Sequence, residues 1–129
     1  MTATQNEKGR TPAKSAAPTP RAQGARNAGD YHSARRDAAT SLALLREMLA
    51  LSREAEGKTT QGYHYANEAR LVNQTFSSAF GPLDRDSMTA SDLRVLTKLQ
   101  VRDAVLIGTG KTYVERKAML ANYAATLRP

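Results

Sequence analysis

The chain has no cysteine. This rules out disulfides, thiol nucleophiles and cysteine-based zinc sites, agrees with a reducing compartment, and leaves packing to hold the fold. It also lacks any run approaching the roughly 18 apolar residues of a membrane span, and its opening MTATQNEKGR has no apolar core of the secretory type. The expectation is a soluble, unexported, cytoplasmic protein with no membrane partner. Histidine is scarce: only His32 and His64 occur, each beside a tyrosine, and their separation forbids an H-x-x-x-H pair. No metal is therefore expected. Serine or threonine nucleophiles would need a base held by an orienting group, and two histidines without a local signature offer none, so no catalytic residue, cofactor or small-molecule substrate is expected.

The 129 residues leave room for one domain of about 100 folded residues once a tail is subtracted, which excludes a two-domain enzyme. The 19 Lys and Arg against 12 Asp and Glu give a net charge of +7, a balance that favours polyanionic partners such as nucleic acid.

Residues 1–29 hold three prolines, three glycines and five cations (Lys8, Arg10, Lys14, Arg21 and Arg26) against Glu7, with no apolar side chain larger than alanine beyond Met1. Such a segment buries too little surface to offset its ordering entropy and is expected to be a disordered basic tail. Residues 30–129 should form the helical domain. From about Ser33 to Glu56 nothing breaks a helix. Ala38, Leu42, Leu45, Leu49 and Ser52 recur at helical spacing, and Leu44, Met48 and Leu51 widen the stripe into a broad buried face. Gly57 stands where a left-handed cap would sit, and the short Lys58–Gly62 connection predicts a second helix packed back antiparallel on the first. That helix should run from about Thr60 to Phe80 on Tyr65, Ala69, Val72, Phe76 and Ala79, ending at Gly81-Pro82. Leu83 is the apolar anchor of the loop that follows.

Thr89-Ala-Ser-Asp92 has capping-box spacing and opens a third helix carrying Leu93, Leu96, Leu99, Asp103, Leu106 and Ile107. Thr112-Tyr-Val-Glu115 is a second capping box. It opens a fourth helix with Tyr113, Arg116/Lys117, Leu120, Ala124 and Leu127 on one face. The fold class is all-α, a small bundle of about four helices with a disordered N-terminal tail; a strand over Ala104–Ile107 is what would break that assignment.

Ala104-Val-Leu-Ile-Gly-Thr-Gly-Lys-Thr112 imitates a strand running into a phosphate-binding loop. The full motif G-x-x-x-x-G-K-[ST] requires glycine at position 105, where Val105 stands. Helix termination at Gly108 and Gly110, followed by a Thr112 cap, explains the same residues. For nucleic acid two candidate surfaces remain. One is the tail, whose five cations can contact phosphates by counterion release. The other is Arg94, Lys98 and Arg102, at i, i+4 and i+8 on one face of the third helix.

A longer pattern lies across residues 65–120. Tyr65-Ala-Asn-Glu-Ala-Arg-Leu-Val-Asn73, then Phe80-Gly81, then Leu96-x-x-Leu99-x-x-x-x-Ala-Val-Leu-Ile107-x-x-Gly110-x-Thr-x-x-Glu-Arg116 resembles the helical segment that follows the DNA-binding part of KilA-N domain proteins of phages, large DNA viruses and bacterial mobile elements. Upstream, where that family has a mixed α/β DNA-binding portion, this chain has the tail and one helix. The resemblance implies a phage, plasmid or other mobile-element protein and a pairing of Glu68 with Arg116 or another cation. The resulting expectation is a non-enzymatic interaction module, accessory to a DNA-associated process such as regulation or transfer. It would have a protein partner or homo-oligomer and a tail that attracts nucleic acid. The alternative is a direct DNA-binding protein using Arg94, Lys98 and Arg102.

Overall fold

The computed structural model describes residues 28–128. The expected tail lies outside the described residues except for Ala28 and Gly29, and its cations Lys8, Arg10, Lys14, Arg21 and Arg26 lie outside them too. Among the described residues the chain forms four α-helices and one short 3-10 turn, and no strand: α1 (Ala28–Ala55), α2 (Gly62–Phe80), the 3-10 turn Arg85–Ser87, α3 (Ala90–Gly108) and α4 (Tyr113–Leu127). Ala104–Ile107 is helical. α1 begins at Ala28, earlier than the Ser33 expected from its apolar stripe. Nothing in Ala28–His32 opposes a helix, and Asp30 suits the positive end of the helix dipole.

The helix ends follow their sequence signals closely. Thr89 Oγ1 accepts from Asp92 N at 3.1 Å while Asp92 Oδ2 accepts from Thr89 N at 3.0 Å. Thr112 and Glu115 repeat the reciprocal bonds at 3.2 and 2.8 Å, and the backbone N–H of Thr112 holds the Glu115 carboxyl below its ordinary value. α2 opens less conventionally, with Gln61 N donating to His64 Nδ1 at 2.9 Å. At the other ends, Gly57 (φ 77°) and Gly110 (φ 82°) take the left-handed conformation. The N–H of the following residue then reaches back, Lys58 to Arg53 O at 2.9 Å and Lys111 to Leu106 O at 3.0 Å.

Packing departs from the expected hairpin of α1 and α2. The principal partner of α1 is α3, and its contact with α2 is slight. Three pairs show that α1 and α3 run in the same direction: Asp30 with Arg94, Ser41 with Gln100, and the Met48 methyl over Gly108, 2.7 Å from where a Cβ would stand there. Small residues explain the choice of partner. Ala34, Ala38 and Ser41 on α1 and Ala104 and Gly108 on α3 let the two backbones close on one another. α4 turns back along α3, and α2 packs on α4, with Leu71 of α2, Leu106 of α3 and Leu120 of α4 forming a small apolar cluster. α3 touches each of the other three helices, which explains why Leu96, Leu99 and Asp103 are almost wholly buried.

Candidate functional site

Three features among the described residues carry chemistry or surface. The first is a buried charge cluster. Arg116, projecting from the first turns of α4, donates from Nη2 to Glu68 Oε1 at 2.7 Å, from Nε to Glu68 Oε2 at 3.2 Å, and from Nη1 to the Lys111 carbonyl at 2.9 Å. The pairing expected between Glu68 and Arg116 is thus formed, as a two-pronged bond in the core. A third member was not foreseen as such. Asp103, fully buried, has Oδ1 3.2 Å from Arg116 Nε, but that N–H points at Glu68, so both Asp103 oxygens are left without a hydrogen-bond donor.

Two carboxylates and one guanidinium would leave a net negative charge inside the bundle. Burial, and then the neighbouring Glu68 carboxyl, push Asp103 up to about 9, against the opposing pull of Arg116. At neutral pH Asp103 therefore keeps its proton and has the Glu68 carboxyl beside it as acceptor. Asp103 was visible in the sequence as an acid in series with Leu96, Leu99 and Leu106. That position, on an otherwise apolar face, was the available signal.

In front of the cluster lies an open cleft of about 730 Å³ lined by the end of α1, the start of α2 and the α3–α4 turn. Its cations are largely committed. Lys58 pairs with Glu56 at 3.3 Å, Arg116 with Glu68, and Arg53 donates twice to the Thr59 carbonyl at 3.2 and 2.9 Å. The α4 N-terminus already holds the Glu115 carboxylate. Lys111, the lysine of the phosphate-loop imitation, is exposed beside a helix stop and cap. The arrangement secures the joint between helices and presents no converging donors for a ligand. The described residues hold no group of three or more His, Asp and Glu able to bind a metal ion.

The second feature is the basic stripe. Arg94, Lys98 and Arg102 are all exposed on α3, but they are not equivalent. Arg94 is ion-paired with Asp30, and Arg102 lies over the Tyr123 ring of α4, 3.9 Å from its centre. Lys98 has no ion pair among the described residues.

The third feature was not anticipated. Leu44 and Leu51, expected to widen the buried face of α1, are 45% and 49% exposed, and on α3 Val101 and Val105 are 39% and 54% exposed. The buried stripe of α1 is narrower than expected because one neighbour, α3, covers it, and α2 does not pack on its flank. Asp37, Ser41, Leu44, Met48, Leu51 and Ala55 recur at alternating spacings of four and three, as do Arg94, Lys98, Val101 and Val105. Ser41 and Met48 fix which side of α1 this is, because both touch α3. The two series therefore form one outward flank of the α1–α3 pair, with charges toward the helix starts and apolar side chains toward their ends. Other large exposed apolar side chains, Tyr63, Tyr113, Val114 and Met119, sit on α2 and α4.

No family model, curated protein or solved structure matches the chain.

Proposed function

We propose that this protein is a non-enzymatic helical interaction module whose working surface is the outward flank of α1 and α3. The observation that carries this reading is the continuity of Leu44, Leu51, Val101 and Val105 across two helices that pack in parallel. Single exposed leucines are ordinary, whereas an apolar patch spanning two elements and bordered by charge is the usual form of a docking surface. The net charge of +7 supports work beside nucleic acid. Together with the resemblance over residues 65–120, it supports an accessory role in a DNA-associated process of a phage, plasmid or other mobile element, in the cytoplasm. An apolar dye tests the surface. At about 1 µM protein, where copies stay apart at micromolar or weaker affinity, the native chain is expected to bind the dye. The Leu44→Glu, Val105→Glu double variant should lose that binding without losing helicity. Dye binding undiminished by both substitutions would refute the assignment.

A second reading, direct DNA binding by α3, is favoured by the exposure of Arg94, Lys98 and Arg102 on one helix. It is weakened by the commitments of Arg94 to Asp30 and Arg102 to Tyr123. If Lys98→Ala together with Arg94→Ala and Arg102→Ala abolishes binding to random duplex DNA while the five tail cations are intact, that reading replaces the first.

A further inference from the structure

The flank has a charge pattern as well as an apolar one. Resting on the reading just given, we infer that its occupant is a second copy of this chain, in a two-fold dimer with α1 of each copy lying over α3 of the other and Asp37 level with the second copy's Lys98.

The levels follow from contacts within one molecule. Asp30 meets Arg94, Ser41 meets Gln100 and Met48 meets Gly108, offsets of 64, 59 and 60 residues. Asp37 is therefore level with Lys98, and Leu44 with Val105. Along the flank α1 carries Asp30 and Asp37 and then Leu44, Met48 and Leu51, while α3 carries Arg94 and Lys98 and then Val101 and Val105, with Arg102 drawn to the edge of the flank by the Tyr123 ring of α4. Each helix passes from charged to apolar in the same direction, and the charges on the two helices are of opposite sign.

A two-fold axis parallel to the helices and lying in the interface sets α1 over the second copy's α3 with all levels kept. Acid then meets base and apolar meets apolar, twice. An axis across the helices would reverse one copy and set its charged end against the apolar end of the other. Asp37 and Lys98 have no ion-pair partners among the described residues, whereas Arg94 and Asp30 are already joined, so the pair left to specify register is Asp37 with Lys98. The chain's own N-terminal segment is a poor occupant. Residues 1–27 are basic and, apart from Met1 and three prolines, carry no apolar side chain larger than alanine, so they offer little to cover Leu44, Leu51 and Val105.

The test is a charge-swap cycle on the full chain, read by sedimentation equilibrium. Asp37→Lys and Lys98→Asp are each expected to weaken the dimer by roughly tenfold, since each acts twice in a two-fold assembly. The double variant Asp37→Lys, Lys98→Asp is expected to recover most of the parent affinity. Both positions of the cycle are on exposed surface, and unchanged melting at a concentration where the chain is monomeric establishes that each variant folds. A double variant no tighter than the singles, or singles equal to the parent, overturns the pairing. A parent that stays monomeric at about 100 µM overturns the dimer. In either case dye binding lost on Leu44→Glu, Val105→Glu leaves the flank as a docking surface, so failure of the inference and failure of the reading beneath it are distinct.

Discussion

At the scale of residues, the most constrained side chains are Glu68, Asp103 and Arg116. Taking a guanidinium out of water is tolerable here because Glu68 receives two of its N–H groups and the Lys111 carbonyl a third. Removing one partner strands the others. Arg116→Ala should destabilise the fold by about 3–5 kcal/mol, measured by urea denaturation with the slope unchanged. A loss within about 0.5 kcal/mol would show that the cluster is not buried as described. Asp103 makes a second prediction.

An acid whose value is raised on folding, from 3.8 to about 9, binds a proton in the folded state that the unfolded chain has released. Its contribution is present below about pH 4 and is lost as pH rises through that window, at up to about 1.4 kcal/mol per pH unit. Asp103→Asn, which can donate to Glu68 without a titrating proton, should be more stable than the parent at pH 8 and should flatten the decline of stability between pH 5 and 9. Parallel pH profiles for the two proteins would contradict this. Glu68 and Arg116 could be proposed as a pair only through the resemblance. Asp103 could not be identified as the third member, because which helix faces meet is decided by packing that sequence spacing does not encode.

At the scale of elements, most of the architecture was legible. Two capping boxes, Gly57, Gly110 and Gly81-Pro82 mark helix ends by local backbone chemistry, which needs no knowledge of tertiary neighbours. Thr112→Ala removes the side-chain acceptor for Glu115 N and is expected to cost about 1 kcal/mol, read as a lowered melting midpoint. Thr112→Ser should keep nearly all of it, and equal losses in both would show that the hydroxyl is not the cap. Two element-level readings failed for a shared reason. The short Lys58–Gly62 link suggested α1 packed on α2, and the broad apolar stripe of α1 suggested wide burial. Loop length limits where a helix can go without choosing its partner. The small residues Ala34, Ala38 and Ser41 select α3, and once α3 covers them Leu44 and Leu51 are left facing outward.

At the scale of the whole molecule, a helical body with an exposed apolar flank carries a strong positive charge. Within the described helices none is long and apolar enough to cross a membrane. The five cations of residues 1–29 predict that affinity for random duplex DNA falls steeply with salt, each phosphate contact adding about 0.9 to the slope of log affinity on log salt. Replacing those five with alanine should remove most of the dependence, and an unchanged slope would transfer the electrostatics to the helical body.

Because the chain has no native cysteine, paired thiols can report whether the α1–α3 flank joins two copies in parallel. Asp37→Cys and Lys98→Cys chains are prepared separately and mixed under mild oxidation. A disulfide-linked dimer is expected in the mixture, where a thiol at position 37 of one copy meets one at 98 of the other within the few ångströms such a bond allows, with little linkage in either chain alone. Linkage as strong in the Asp37→Cys chain by itself, or none in the mixture, would contradict it.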